Sequence, residues 1–297
     1  MQSSEIAIRV TTPLDGIPLF EYCCIERAIK PISPRISENY IEILCFHRGI
    51  QIFTIENTEL VVSGGEVLVV PAGLEYSTGH HPQYKSRYHR LQITKTSSSL
   101  LGLTAEYSNI LYDYLGSLNR LRYHGSDRLS SLLNDSFTHL ASDETCVRLK
   151  GYGELICFFT SLESFLKISP PQPTPDIYIA YQYINDHITE EISLQDLADL
   201  CGISLSYFKE RFTSQIGVTP MYYINWRKIA FAKRMIAQDY SVTEVASMLN
   251  FTTPAYFSTV FKNYTARTPM QYKQLIDIEL RKQHHISPAT SIKKDIK

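Results

Sequence analysis

The chain has 297 residues, of which 44% are hydrophobic and 20% are charged, a composition typical of a folded globular protein rather than a disordered or fibrous one. Its 29 lysines and arginines stand against 30 aspartates and glutamates, a formal net charge of −1. This balance excludes a histone-like or polybasic protein. It does not exclude a nucleic-acid binder, because only the charge at the docking face matters. The length exceeds one typical core, so we expect two domains, or one domain with a large appendage.

The sequence carries no signal for membrane insertion or secretion. No run approaches the roughly 18 to 20 apolar residues that span a bilayer, and residues 1–8 lack a basic and then apolar leader. The six cysteines are scattered, with neither a C-x-x-C pair nor finger spacing, so neither a disulfide framework nor a structural zinc site is expected. We predict a cytoplasmic protein with reduced thiols and no membrane partner. The adjacent Cys23 and Cys24 form either a redox-sensing pair or, as we favour, part of a buried strand.

The N-terminal part predicts a sheet. From about Tyr40 to Ile93, short β-rich runs are separated by glycines or by Pro71, a pattern typical of an antiparallel sandwich or barrel. From residue 104 to 168 the apolar period becomes helical. The second apolar stripe of this segment is strong enough to suggest an interface and comprises Leu155, Phe158, Phe159, Leu162 and Leu166.

A proline-rich linker divides the chain. Four prolines fall within residues 169–176, and such a stretch fits neither a helix nor a sheet interior. Helical signals dominate from 177 to 282, and the polar residues 283–297 are expected to form a flexible tail.

The C-terminal part contains an internal repeat. Residues 193–203 match residues 241–251 in chemical type at every position: each copy opens on a serine able to cap a helix and ends on Gly202 or Asn250, which tolerate left-handed backbone. Tyr207-Phe208 and Tyr256-Phe257 then occupy matching places. The repeat predicts two helix-turn-helix units.

The second helix of each unit is predicted to present a narrow polar face that suits a major groove. Inward residues are Leu205, Phe208 and Phe212 in the first copy and Phe257 and Phe261 in the second. The candidate DNA-binding residues are Ser204, Ser206, Lys209, Glu210, Arg211 and Thr213, then Thr253, Ala255, Ser258, Thr259 and Lys262. For Glu210, a solvated acid or an intrahelical partner of Lys209 or Arg211 remains an equal alternative. We expect most direct base readout from Ser206, Lys209 and Glu210.

Local charge supports DNA as the partner. Between Ser204 and Leu275, nine cations and three anions give a net charge of +6, whereas six acids lie just upstream. Residues 223–238 between the units read as one helix with Ile229, Ala232 and Ile236 on one stripe. Such a spacer fits two successive major-groove openings, about 34 Å apart.

Residues 177–280 resemble the DNA-binding domain of the AraC/XylS family of bacterial transcription regulators. The resemblance rests on Leu197-Ala198, Gly202-Ile203-Ser204, Tyr207-Phe208, Phe212, Gly217, Thr219-Pro220, Arg227, Ala230, Val245-Ala246, Phe251, Tyr256-Phe257, Phe261-Lys262, Thr268-Pro269 and Tyr272. It implies that the second helix of each unit enters a major groove, and that transcription is activated through RNA polymerase. The outer face around Ala255 and Thr259 departs from the family, because it lacks the arginine or glutamine donors often found there.

Residues 65–76 resemble the second signature of the cupin barrel, with Tyr76 where the metal-binding histidine would stand. The run around Glu42 resembles the first signature but lacks the paired histidines before the glutamate. We therefore expect no metal, no cofactor and no enzymatic activity. His47, His80, His81 and His89 are interpreted as surface or hydrogen-bonded core residues rather than as a metal sensor.

The expected architecture is an all-β cupin-like barrel at residues 1–103, a helical dimerisation segment at 104–168, and an all-α domain with two helix-turn-helix motifs joined by a linker helix at 177–282. The family resemblance suggests a small-molecule effector in the barrel, with Glu42, Arg48, Tyr76 and His89 as polar anchors. The alternative is a regulator without a ligand, controlled by a protein partner through the barrel. A homodimer is expected, and the alternative is a monomer that binds an asymmetric DNA site.

Overall fold

The structure is a computed structural model that describes residues 5–10, 14–56, 58–94, 99–118, 121–125, 127–166 and 173–285. An antiparallel sheet with three helices forms the N-terminal part, and seven further helices form the C-terminal domain within these ranges. The strands are β1 (Glu5–Arg9), β2 (Leu19–Ile25), β3 (Arg35–Ile36), β4 (Tyr40–Ile55), β5 (Thr58–Ser63), β6 (Glu66–Val70), β7 (Glu75–Ser77), β8 (Ser86–Thr94) and β9 (Arg122–His124).

Strand β4 organises the sheet. It is 16 residues long, and a β-bulge between Phe46 and Arg48 divides it. The first half pairs with β8 and β6, and the second half pairs with β5 and β7. The main path runs β1-β2-β8-β4-β6-β9. Its two end strands do not pair with each other in the described part of the chain, so the sheet is not the closed cupin-like barrel that the sequence predicts.

The helices α1 (Ala105–Gly116), α2 (Asp127–Leu140) and α3 (Thr145–Leu166) cover the sheet. The α3 side chains Leu155, Phe158, Phe159 and Leu162 are fully buried in one core with sheet residues such as Ile43 and Leu91. The predicted interface stripe is therefore an internal core, which corrects that interpretation. Strand β9 was not expected within this segment, and it pairs with β6. Side chains of α1, α2 and α3 thus share the N-terminal core with the sheet.

The C-terminal helices are α4 (Pro175–Asp186), α5 (Leu194–Leu200), α6 (Leu205–Ile216), α7 (Pro220–Ala237), α8 (Val242–Met248), α9 (Pro254–Thr265) and α10 (Pro269–His285). They enclose two cores, and α7 contributes to both. Tyr223 and Ile224 lie in the core of the first unit, whereas Ile229, Ala232 and Ile236 lie in that of the second. The predicted apolar stripe of the spacer helix is confirmed.

Two boundaries differ from the prediction. Helix α4 begins at Pro175, where a proline costs no backbone hydrogen bond, so the linker ends earlier than residue 176; residues 167–172 lie outside the described residues. Helix α10 continues to His285, three residues into the predicted tail, and residues 286–297 lie outside the described residues.

The N-terminal part contacts both units of the C-terminal domain, through β4 at the first unit and through the loop after β2 at the second. The Gly49 amide donates to the Gly217 carbonyl at 3.2 Å, and the Ala28 amide donates to the Asn263 carbonyl at 3.0 Å. Gly217 closes α6 with φ at +82°, and a Cβ built there would lie 2.5 Å from the Gly64 nitrogen. A glycine is required at this position both by its left-handed backbone and by the close approach of the sheet.

Candidate DNA-binding interface

The first unit is built from α5 and α6 by local capping. The Ser193 hydroxyl accepts from the amides of Gln195 and Asp196 at the start of α5. Gly202 makes the turn with φ at +67°, and the Ser204 side chain accepts from the Tyr207 amide at the start of α6. These contacts satisfy amides that a helix leaves free at its N-terminus, so the sequence fixes both helix starts.

The second unit repeats this design in α8 and α9. Ser241 and Glu244 form a capping box in which each side chain accepts from the other residue's amide. Asn250 takes the turn with φ at +54°, and the Thr253 side chain accepts from the Tyr256 amide. Ala198 and Ala246, at the matching position of each first helix, are both fully buried. The predicted repeat is therefore a structural repeat.

Helix α6 presents a polar outer face. Ser206, Lys209 and Glu210 are exposed, whereas Phe208 and Phe212 are completely buried. Thr213 is only half-exposed and lines a cavity towards the sheet. Arg211 does not share this face.

The guanidinium of Arg211 instead faces the start of α4. Its Nη1 lies 2.8 Å from Asp176 Oδ2, and its Nη2 donates to the Thr174 hydroxyl at 2.9 Å. Arg211 therefore joins α6 to α4, which differs from the predicted contact with DNA. The sequence gives Asp176 no visible link to Arg211, because the two are far apart in the chain.

Helix α9 offers shorter side chains. Ala255, Thr259 and Lys262 are exposed and Ser258 is half-exposed. The hydroxyls of Ser258 and Thr259 donate to the carbonyls of Pro254 and Ala255. They can therefore still accept hydrogen bonds from a partner, while the methyl groups of Ala255 and Thr259 are suited to contact with a thymine methyl.

Only part of the local positive charge is available to DNA. The Lys228 ammonium is buried and donates to the Leu249 carbonyl at 2.7 Å, and Lys273 pairs with Asp239 at 3.0 Å. Burial lowers the pKa of Lys233 to about 8. Lys209 and Lys262 remain exposed, one on each reading helix.

Two exposed tyrosines were not among the predicted site residues. Tyr207 and Tyr256 occupy the same position of α6 and α9 and are 48% and 53% exposed. The repeat contained the signal, because each tyrosine precedes a phenylalanine that points inward. The position before a buried helical residue points away from the core.

The four predicted effector anchors do not meet in one cavity. Glu42, Tyr76 and His89 are each 1% exposed. Glu42 accepts from Arg90, which also pairs with Glu21 at 3.2 Å. Burial, together with the nearby Glu42 carboxylate, raises the pKa of Tyr76. These side chains form part of the core rather than an open pocket.

His89 belongs to a second internal pair. Its Nδ1 lies 2.7 Å from His47 Nε2. Burial lowers the pKa of His47 to about 4, and burial with the neighbouring His47 lowers that of His89 to about 3. Both imidazoles are therefore neutral near pH 7.

Arg48 lies apart from the other three anchors. It is exposed and borders a cavity of about 300 Å³ between the sheet and the C-terminal domain. Lys85 and Arg87 also border this cavity, and each pairs with Glu26 at 3.2 Å. The apolar wall includes Ile25, Val218 and Tyr222.

Comparison with known proteins identifies the C-terminal domain. Residues 197–275 match the sequence model of a family described as a helix-turn-helix domain. A stretch of 92 residues, 31% of this chain, is 34% identical to an uncharacterized HTH-type transcriptional regulator of Staphylococcus aureus strain MSSA476 and covers 12% of that protein. The chain thus spans a small part of the length of such relatives.

Two further similarities each cover less than half of the chain. An alignment of 139 positions, which covers 42% of this chain, is 27% identical to the bifunctional transcriptional activator/DNA repair enzyme AdaA of Bacillus subtilis and covers 66% of it. The solved DNA-binding domain of AdpA, described as a global transcriptional factor in complex with a target DNA, is 24% identical over 35% of this chain and 95% of that domain, with a TM-score of 0.34. Among the described residues, no helix combines the length and apolar character needed to cross a bilayer.

Proposed function

Because this chain belongs to the AraC/XylS family through its helix-turn-helix domain at residues 197–275, we propose that it regulates transcription by placing α6 and α9 in two major grooves of promoter DNA. The observation that carries the proposal is the pair of units with the same caps, the same turn geometry and a polar outer face on each second helix. A major groove admits one such helix.

The spacing supports two grooves on one face of the duplex. Helix α7 joins the two units and has 18 residues, a length of about 27 Å at 1.5 Å per residue. Its side chains belong to both cores, so the units cannot turn independently about it. Successive major-groove openings lie about 34 Å apart, a distance of the same order as the length of α7.

The two helices α6 and α9 contribute differently to the recognition of bases. Ser206, Lys209 and Glu210 on α6 carry donors and acceptors for base edges, whereas Ala255 and Thr259 on α9 carry mainly methyl groups. Base-by-base operator scanning tests this division. Lys209→Ala is expected to relax sequence preference more than Thr259→Ala does, and the opposite order would contradict it.

The proposal is tested with the full chain and genomic DNA fragments. Bound fragments are sequenced and the enriched site is mapped by hydroxyl-radical footprinting. Protection of two groove openings one helical turn apart on one face supports insertion of both helices. Enrichment without sequence preference, or protection of a single opening, would contradict the proposal.

We further propose that the regulator activates through RNA polymerase and acts as a homodimer. The Bacillus subtilis relative is described as a transcriptional activator.

The homodimer is proposed to form through α1 and α3. Between these helices lies a groove of about 360 Å³ bordered by Ile156, and its neighbours Tyr107 and Ile110 are 60% and 57% exposed. A second copy is the proposed occupant. Sedimentation should show a dimer that Ile110→Asp dissociates; a monomer in the unaltered chain favours the asymmetric-site alternative.

A small-molecule effector is proposed for the cavity beside Arg48. Its cationic rim and apolar wall suit a small amphipathic anion. Arg48→Gln should abolish the rise in melting temperature that such a ligand produces, while Glu42→Gln retains the rise. If Arg48→Gln keeps the rise in melting temperature and a protein binds to the sheet, the alternative of a protein partner is favoured. The proposed regulator is not an enzyme.

A further inference from the structure

Three side chains with metal-binding atoms meet on the face of the sheet that looks towards α7. The His81 Nε2 lies 2.8 Å from Glu59 Oε1, and the rings of His80 and His81 have centroids 4.1 Å apart. One ligand atom from each of Glu59, His80 and His81 lies within 4.8 Å of the other two. Ligand atoms of a tetrahedral zinc site lie about 3.4 Å apart, as follows from bond lengths of about 2.1 Å. Glu59 and His80 are exposed and can close that gap by side-chain rotation.

The turn that carries the histidines is held in place. The His81 amide donates to the Thr78 carbonyl at 2.8 Å, and the Thr78 hydroxyl donates to the His81 carbonyl at 2.7 Å. The His81 side chain is 12% exposed, and its Nδ1 lies 3.4 Å from the Tyr84 hydroxyl. A partner at Nδ1 leaves Nε2 directed at Glu59, which is how a ligating histidine is commonly oriented.

The cluster borders a cavity between the two domains. His80, His81 and Tyr84 line one side of a space of about 250 Å³, and Trp226 and Lys233 of α7 line the other. The space is large enough for a metal ion with a bound water, because one water occupies about 30 Å³. An ion held by the sheet would therefore sit against the helix that joins the two DNA-binding units.

We propose that Glu59, His80 and His81 form a binding site for a first-row divalent transition metal, with Zn²⁺ as the best-matched ion. Two imidazoles and one carboxylate are ligands that zinc accepts, and a water would complete four-fold coordination. The two nitrogen ligands and the small number of oxygen ligands argue against Ca²⁺ and Mg²⁺, which prefer six or more oxygens. This site differs from the cupin position at Tyr76 and goes beyond the proposed DNA-binding function.

Lys233 is the group that opposes the ion. It lines the same cavity, and its charge acts on the Glu59 carboxylate. A divalent cation and the Lys233 ammonium therefore compete for one carboxylate. Removing this charge should strengthen metal binding, whereas a metal site elsewhere in the chain would not respond to Lys233.

The test uses metal-free full chain with Zn²⁺ and Co²⁺ as probes. Calorimetry is expected to show one Zn²⁺ per chain, and Co²⁺ should quench the fluorescence of Trp226, the single tryptophan of the sequence. His80→Ala, His81→Ala and Glu59→Gln should each weaken binding by more than about 100-fold, because loss of an outer-shell partner alone costs about 10- to 100-fold. His80 is exposed, so its replacement leaves the fold intact. Lys233→Met should tighten binding.

Two controls separate this site from other histidines. The sequence holds another adjacent pair, His284 and His285, and the double change to alanine should leave affinity and quenching unchanged. His139 makes a histidine–carboxylate contact of 2.6 Å with Glu154, and His139→Ala should also have no effect. Loss of binding in either control, unchanged binding in His80→Ala and His81→Ala, or no bound Zn²⁺ in the unaltered chain would overturn the proposal.

Discussion

Lys209→Ala is the most informative change for DNA binding, because it removes one of two exposed lysines of the reading helices. Each phosphate contact contributes about −0.9 to the slope of log K against log[salt]. If Lys209 at the base edges and Lys262 each displace as many counterions as one phosphate contact does, their joint slope is about −1.8 per chain, and their share of affinity falls about 12-fold between 50 and 200 mM salt. Without Lys209 that share falls about 3.5-fold over the same range.

The assay is fluorescence anisotropy with one labelled operator at four or more salt concentrations. Lys273→Ala is the matched control, since Lys273 belongs to the same domain but lies on α10 and pairs with Asp239 at 3.0 Å. The control should keep the slope of the unaltered chain. An unchanged slope in Lys209→Ala, or an equal change in Lys273→Ala, would refute the assignment of Lys209 to the DNA face.

Three further predictions concern stability. Gly217→Ala should destabilise the chain more than Gly202→Ala, whose cost of about 1 kcal/mol comes from the left-handed backbone alone, because only at Gly217 would the new Cβ meet the sheet backbone; equal urea midpoints would contradict this. Glu42→Gln should cost about 3 kcal/mol, since it removes a buried carboxylate that pairs with the partly buried Arg90, and a loss below about 1 kcal/mol would show that the pair is dispensable. Because burial lowers the pKa of His47 and His89, stability should be full above about pH 6.5 and fall towards pH 4 by up to about 1.4 kcal/mol per unit for each histidine; His47→Gln should flatten this fall in urea titrations, and an unchanged pH profile would count against it.

The sequence predicts well what depends on neighbours along the chain. Ser193 and Ser241 cap their helices, and Gly202 and Asn250 make the turns, because these choices are decided within a few residues. The inward faces follow from helical periodicity for the same reason. Most helix starts, turns and buried faces of the DNA-binding domain can therefore be predicted from the sequence.

Contacts between distant segments were not predictable in the same way. The pairing of Arg211 with Asp176 depends on how α4 packs against α6. The bulge in β4 shifts the alternation of side chains, so Arg48 faces solvent although Glu42 is buried in the same strand. An apolar helical stripe has the same sequence pattern whether it packs on a sheet or on a second chain. The pattern of α3 therefore does not distinguish an internal core from an interface.

The contacts of the N-terminal part with Gly217 and Asn263 have a mechanical consequence. Helix α7 joins the two helix-turn-helix units to each other, and these hydrogen bonds join each unit to the N-terminal part. Each of the three parts is therefore connected to the other two. These contacts add a second connection between the two units, beyond the packing of α7 in both cores. Movement of the N-terminal part must therefore alter the separation or tilt of both reading helices together, so that the fit to both grooves is gained or lost as one event.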